Sequence, residues 1–384
     1  MNDWTTLRDD CVGFARRLIA IPAMSGEEGA IGAAVEAELR AIGVDEVWRD
    51  EVGNVFGRLH GHERHLPALL LNTHLDHVDP GDLALWPSPP YEGTLTDGAL
   101  VGRGAADIKG PLATQVYALA AFTRTGRRPR RDVIFSAVVE EETTGRGARH
   151  LAATLPDPLA LIVLGEPTSN QVAIGHRGIC QLWVTLHGRS AHASAPERAE
   201  NPLWNLATFL KRLRKQQKKL GTHPRLGPTT VSPTVVLVDT TSRNVTPAWV
   251  RVCLDFRTAS ETMGSLLGFV ATVADGMAYT VGDAADAKPD TPVRLSADLI
   301  TGFDTDPADE AVQEAVTLIG IGQGRTPDLV QYHFATDGRF MAHRAPIIGY
   351  APADEDQAHT AGERIRLDRI EDSLRGHVVL LSRF

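Results

Sequence analysis

Cysteine is scarce in this 384-residue chain: Cys11, Cys180 and Cys253 are all it has. They are far apart, odd in number and form no Cys-x-x-Cys pair, so neither a disulfide framework nor a thiolate zinc site can be read from them. Such usage suggests a reducing cytoplasm. Long apolar runs are missing too. Those at 68–71 and 159–164 fall far short of the roughly 20 residues that span a bilayer. The N-terminal stretch carries Asp3, Asp9 and Asp10 and lacks the apolar core of a signal peptide. A soluble protein with no membrane partner is expected. Basic residues do not dominate either: 39 Lys and Arg stand against 48 Asp and Glu, a net charge of −9. That argues against a nucleic-acid partner, whose binding rests on phosphate neutralisation. The run Lys211, Arg212, Arg214, Lys215, Lys218, Lys219 falls on an expected helix and reads as its solvated face. Gly102-Arg103-Gly104 lacks the Gly-Lys-Ser/Thr ending of a phosphate loop.

What is present is chain enough for two or three domains at roughly 100–200 residues each. Helical patterns cover 4–20 and 25–42, the second opened by a capping box of Ser25 and Glu28. Apolar strands at 52–59, 67–72, 132–139 and 159–164 alternate with helices at 110–125 and 147–154. Near-continuous apolar strands between helices imply a mostly parallel α/β sheet covered on both faces. From Cys180 the texture changes. Strands at 181–186, 231–238, 249–255 and 278–281, with helices at 201–220 and 261–275, make a βαββαβ order, the split-βαβ or ferredoxin-like arrangement. The α/β texture then resumes with a helix at 308–320, a strand at 346–349 and a helix at 366–383. The expected organisation is a catalytic α/β domain in two parts, 1–177 and 293–384, interrupted by an α+β domain at 178–292.

In open α/β sheets, ligands bind beyond the carboxyl ends of the strands. His74-Leu75-Asp76-His77-Val78-Asp79 follows one apolar strand, Glu140-Glu141-Glu142 another, and Gly165-Glu166-Pro167 a third. Each piece alone is weak, since a Glu triplet is usually a solvated loop. Together they bring imidazole and carboxylates to one rim, a donor set suited to zinc, cobalt or manganese. The donors outnumber the four of a closed tetrahedral site. That favours two metals sharing a carboxylate and holding a water.

The run from Trp86 to Gly110, ending Gly102-Arg103-Gly104-Ala105-Ala106-Asp107-Ile108-Lys109-Gly110, resembles the signature of the co-catalytic zinc deacylase and carboxypeptidase family. That family includes acetylornithine deacetylase, succinyl-diaminopimelate desuccinylase, aminoacylase and glutamate carboxypeptidase. Further pieces stand in the family's order. They are His74-x-Asp76-x-Val78, the triplet Glu140 to Glu142, Gly165-Glu166-Pro167-Thr168, Gly188-x-Ser190-x-His192-x-Ser194-x-Pro196, and Ala358-His359-Thr360. The resemblance implies a zinc-exopeptidase-like catalytic domain and a lid domain that dimerises. It implies two divalent ions per subunit, zinc with cobalt or manganese as alternatives. His74 and Glu166 would hold one, Glu142 and His359 the other, and Asp107 would bridge them. Asp76 would support His74, and Glu141 would be the general base, although Glu140 could slide into either role of the triplet. His74 is preferred to His77 because Asp76 and Val78 complete the pattern only in that register.

The resemblance also makes His192 an oxyanion-stabilising lid residue that, in dimeric members, reaches the partner subunit's site. Asn244 and Arg257 would contact the substrate's carboxylate or carbonyl. An Asn before a strand is often only a turn residue, and an Arg beside an Asp often a structural pair. One departure is plain: Gly349-Tyr350-Ala351 stands where the family usually has Gly-Pro-Gly. Tyr350 with Asp354, Glu355 and Asp356 either shapes specificity or forms a solvated acidic loop. The implied reaction is hydrolysis of an N-acyl amino acid by a metal-bridging water that loses its proton to Glu141. The alternative substrate is a short peptide, as in the family's carboxypeptidases and dipeptidases. A metal-binding scaffold without catalysis would show a broken ligand set, and every position is filled here.

Overall fold

The computed structural model describes residues 3–282 and 301–384. The chain divides into two compact units. One comprises Met1–Gly175, Thr305–Tyr332 and Thr336–Phe384; the other comprises His176–Asp304 with His333–Ala335. The expected boundary between 292 and 293 lies outside the described residues.

The first unit is built on a mixed sheet. Its centre is four strands in parallel, in the order Val133–Val138, Ala68–His74, Leu159–Leu164 and Ile347–Gly349. The first two are buried along their whole length, as strands covered by helices on both faces must be. Helix Lys109–Thr123 is apolar nearly all round and buried throughout, packed against helices Trp4–Ile19 and Leu367–Arg383. Leu71, Phe135, Val163, Leu119 and Phe14 belong to one continuous core. The parallel order does not extend to the flanks. Val55–Leu59 joins Val133–Val138 antiparallel, Glu46–Arg49 joins it antiparallel in turn, and Val172–His176 meets Ile347–Gly349 antiparallel. The sheet expected to be mostly parallel is therefore mixed, because an apolar run fixes burial and not direction.

A second expectation fails at 25–42. The helix begins at Gly29; Glu28 stands at its N-cap but makes no side-chain capping bond, and Ser25 lies outside it. Ser25 Oγ donates instead to Asp76 at 2.6 Å, and the Glu28 carboxylate accepts from the N–H of Gly26 and of Glu140, both at 3.0 Å. The box residues fasten loops around the strand ends. A small sheet of Thr94–Thr96, Ala99–Val101 and Arg364–Arg366 was not expected from the sequence.

In the second unit an antiparallel sheet runs Thr230–Val238, Trp249–Thr258, Gly178–His187 and Tyr279–Gly282. Alternate residues Cys180, Leu182, Val184 and Leu186, with Val250, Val252, Leu254 and Phe256, are buried against helices Pro202–Gln216 and Met263–Val273. Among the described residues strand Thr230–Val238 is an edge of this sheet, and Val235, Val236, Leu237 and Val238 on it are all exposed. All three cysteines are buried and unpaired. No helix among the described residues is long and apolar enough to cross a membrane.

Candidate active site

Register explains why the rim residues meet. In the parallel centre, His74 is level with Val138, and Asn72 with Leu164. The next residues along those strands are therefore neighbours: Glu140 to Glu142 after one, Glu166 after the other. Asp107 arrives just ahead of helix Lys109–Thr123, and His359 from the turn after the 3-10 segment Glu355–Gln357. His359 has φ +62°, a left-handed conformation that costs a non-glycine residue roughly 1–3 kcal/mol and concentrates at functional sites.

The two oxygens of Asp107 face different imidazoles. Oδ1 lies 3.1 Å from His74 Nε2, and Oδ2 lies 3.3 Å from His359 Nε2. His74 Nε2 is also 3.7 Å from Glu166 Oε1, and His359 Nε2 is 3.1 Å from Glu142 Oε1. Donor atoms of His74, Asp107 and Glu142 fall within 4.8 Å of one another, as do those of His74, Glu141 and Glu166. All five expected ligands and Glu141 thus share one cluster. Asp76 is fully buried beside His74, as expected, and has a second task as well. His74 Nδ1–H donates to its main-chain carbonyl at 3.0 Å, while the carboxylate stands 3.4 Å off. That carboxylate accepts from the N–H groups of Glu141 and Glu142, both at 3.1 Å. It fixes the loop that carries them.

Neighbouring residues are otherwise occupied. His77 accepts from Ala23 N–H at 2.9 Å and donates to Val78 O at 2.8 Å, so both ring nitrogens serve the main chain. Burial and the nearby Lys109 push its pKa down to about 4. The Glu140 carboxylate is engaged by Thr144 Oγ1 at 2.7 Å and by Arg146 at 2.7 Å. Tyr350 is part of the core. It is fully buried, packs on His377 with centroids 4.8 Å apart, and its hydroxyl meets Gln323 at 3.2 Å. Asp354 is tied to Ser169 and Arg369.

The inserted unit holds the other expected residues. His192 is exposed, with Nδ1 2.7 Å from Ser194 Oγ, on a two-residue ladder that pairs it with Val245. Ala193 N–H donates to Asn244 O at 2.8 Å, so His192 and Asn244 are local neighbours. Arg257 Nε donates to Asp255 at 2.8 Å, the structural pair that the sequence also allowed. Two buried carboxylates that act electrostatically on the cluster escaped the sequence reading, Asp337 and Glu363. Among the described residues Asp337 has no hydrogen-bond partner on either oxygen, and burial raises its pKa to about 7. Glu363 follows His359 by four residues, the one hint the sequence offers.

The cluster is over-supplied with negative charge. Burial, then Asp337 and Glu166, push Glu141 well above the usual carboxylate range. Burial and Asp107 do the same to Glu166 well above it, and raise Glu142 as well. Burial opposes charge on His74, yet Asp107, Asp76 and Glu166 together lift it well above its ordinary value. Asp107 and Glu142 lift His359 to about 10. Burial disfavours ionised Asp107, but both imidazoles overcome it and hold the carboxyl low. Crowded carboxylates with two imidazoles and no thiolate are what hard or borderline divalent cations fit. Such cations would relieve the repulsion that these shifts record.

A sequence model described as peptidase family M20/M25/M40 matches residues 70–383. The chain belongs to this family. Among curated M20-like relatives, the uncharacterized protein YgeY of Escherichia coli K12 is 29% identical, over 92% of this chain and 89% of its own. A succinyl-diaminopimelate desuccinylase of Caulobacter sp. K31 is 28% identical, over 98% of this chain and 96% of its own. The solved structure of aminopeptidase PepT from Bacillus cereus superimposes with a TM-score of 0.76 at 18% identity, covering 98% of each chain. This M20 chain is accordingly a metal-dependent hydrolase of amide bonds with a mixed α/β fold.

Proposed function

We propose that this M20 enzyme hydrolyses the amide bond of an N-acyl amino acid, in the manner of a deacetylase or desuccinylase. The observation that carries the reading is the Asp107 carboxylate set between His74 and His359, with Glu141 beside His74 and Glu166. His74 and Glu166 would hold one divalent ion, Glu142 and His359 a second, and Asp107 both, with zinc preferred over cobalt or manganese. Bound ions would polarise the scissile carbonyl and acidify the attacking water. Glu141 takes the proton from that water and hands it to the leaving amine. His192 donates to the developing oxyanion, while Asn244 and Arg257 receive the substrate's carboxylate. The exposed edge Thr230–Val238 would pair with its copy in a two-fold homodimer, which satisfies edge groups that otherwise invite mispairing. Three unpaired cysteines fit a cytoplasmic setting.

The acyl-amino-acid reading is supported by near full-length relatives named as succinyl-diaminopimelate desuccinylases. Likeness in fold to an aminopeptidase keeps short peptides as the second reading. A panel of N-acetyl, N-succinyl and N-formyl amino acids beside dipeptides, with zinc added, separates them. The expected result is a higher kcat/KM on an acyl-amino acid. Faster turnover of the dipeptides overturns the first reading in favour of the second.

A further inference from the structure

The signature run 102–110 folds its main chain around a side chain 256 residues from Asp107. Glu363 is fully buried. Its Oε1 accepts from the N–H of Ala106 at 2.7 Å and of Asp107 at 2.9 Å. Its Oε2 accepts from Gly104 N–H at 3.0 Å and from Arg103 Nη1 at 2.6 Å. Gly102 N–H donates to the Glu363 main-chain carbonyl at 3.0 Å. Arg103 is itself buried, stacked over the Trp86 ring at 5.2 Å, with Nη2 on Asp79 O at 3.2 Å. The motif's glycines make this possible. Gly104 sits at φ +83°, where a Cβ would meet Lys109 at 2.9 Å, and a Cβ on Gly110 would meet the Ala105 carbonyl at 2.3 Å. Charge-assisted bonds shielded from water are stiff and strong. The other end of the same peptide is also fixed: the strand after Glu363, Arg364–Arg366, pairs with Ala99–Val101.

We infer that Glu363 is a positioning residue that holds the Asp107 carboxylate between His74 and His359 and so sets the spacing of the two metal sites. It touches no expected ligand atom. It grips the main-chain N–H of the residue that carries the Asp107 carboxylate, and it stands four residues beyond His359, so one carboxylate registers both halves of the cluster. Arg103 is its counter-ion, which gives the arginine of the signature a role away from substrate. The inference rests on the two-metal reading above.

The test is a calorimetric zinc titration of the metal-free, full-length protein, well below its melting temperature. Wild type should take up two ions. Glu363→Asp keeps the charge for Arg103 but withdraws the carboxylate by one methylene; Glu363→Gln keeps the length and removes the charge. Each should weaken zinc binding by about 10–100-fold, the usual effect of losing a residue that orients ligands. In both, kcat should fall with little change in KM, and excess zinc should restore part of it. Folded variants that bind both ions as wild type does, even if they melt earlier, overturn the inference. Glu363→Asp decides alone if Glu363→Gln does not fold. A wild type that binds fewer than two ions removes the two-metal reading itself, and the inference with it.

Discussion

The residues assigned to the chemistry divide between two regions that are built differently. In the larger unit, His74, Asp76, Asp107 and Glu166 are each almost wholly buried, and the first three have several polar contacts, while His359 reaches them from an exposed turn. Strand register, the Asp76 clamp and the 102–110 loop constrain them from separate directions. In the inserted unit, His192 is exposed on a two-residue ladder, Asn244 is exposed just ahead of the partner strand, and the described bonds to His192's ring come from Ser194 alone. A ligand set must be rigid before the metal arrives, because geometry decides affinity. If His192 has the proposed oxyanion role, it need only meet its acceptor when substrate is bound, so sparse local support is tolerable.

The sharpest way to break this comparison is at Glu141. Glu141→Gln keeps the shape and cannot take a proton, so turnover should fall by about 10²–10⁴-fold with metal content unchanged. Elemental analysis decides the matter. If Glu141→Gln loses metal and Glu142→Gln does not, the two have exchanged roles, an outcome made serious by the closeness of Glu141 to His74 and Glu166.

His192→Ala comes next. Loss of one oxyanion donor costs about 10²–10³-fold in turnover, again without loss of metal. Mixing it with Glu141→Gln tests where the residue acts. Recovery of activity in the mixture means that one subunit's His192 serves the other's site. A mixture as inactive as its parts confines His192 to its own chain.

A smaller effect, read in stability, sharpens the electrostatic half of the contrast. Glu141, Glu142 and Glu166 titrate above their unfolded values in the metal-free protein, and so do His74 and His359. Groups with raised pKa contribute stability that is present at low pH and lost as pH rises through the folded value. Metal-free protein should therefore lose stability as pH climbs from about 5 to 9. Zinc competes with protons for the same atoms, so its stabilisation should grow over that range. Melting curves with and without zinc at both ends test this, and a zinc-induced rise in Tm that is larger at pH 5 would contradict it.

The smallest effect is expected at Tyr350. Tyr350→Phe removes a hydrogen bond to Gln323 and should cost about 1 kcal/mol of stability with kcat/KM unchanged. A changed substrate preference would return this position to the pocket.

Much of this was legible from residue order. Apolar runs marked the central strands within a residue or two, and their ends pointed to His74, Glu141 and Glu166. Strand direction was not legible, because Val55–Leu59 is buried at four of its five positions like its neighbour Val133–Val138 yet runs the other way. The Ser25 and Glu28 pair had the spacing of a cap but found stronger partners in Asp76 and the Glu140 N–H, contacts set by tertiary packing. Glu363 was invisible for the same reason. Its meaning lies in bonds to a loop 256 residues away, and no local pattern encodes them.

The Asp76 clamp bears on how the enzyme is made. Its carboxylate is met by Ser25 Oγ and by the N–H groups of Glu141 and Glu142. The first lies 51 residues before Asp76 and the others 65 and 66 after it. Contacts of such sequence separation close late, since each demands a costly loop closure before it returns any energy. A chain that has formed its helices but not docked them has scattered donors and no cup. Ion capture then reports finished folding, and a nascent or damaged copy is left both empty and idle.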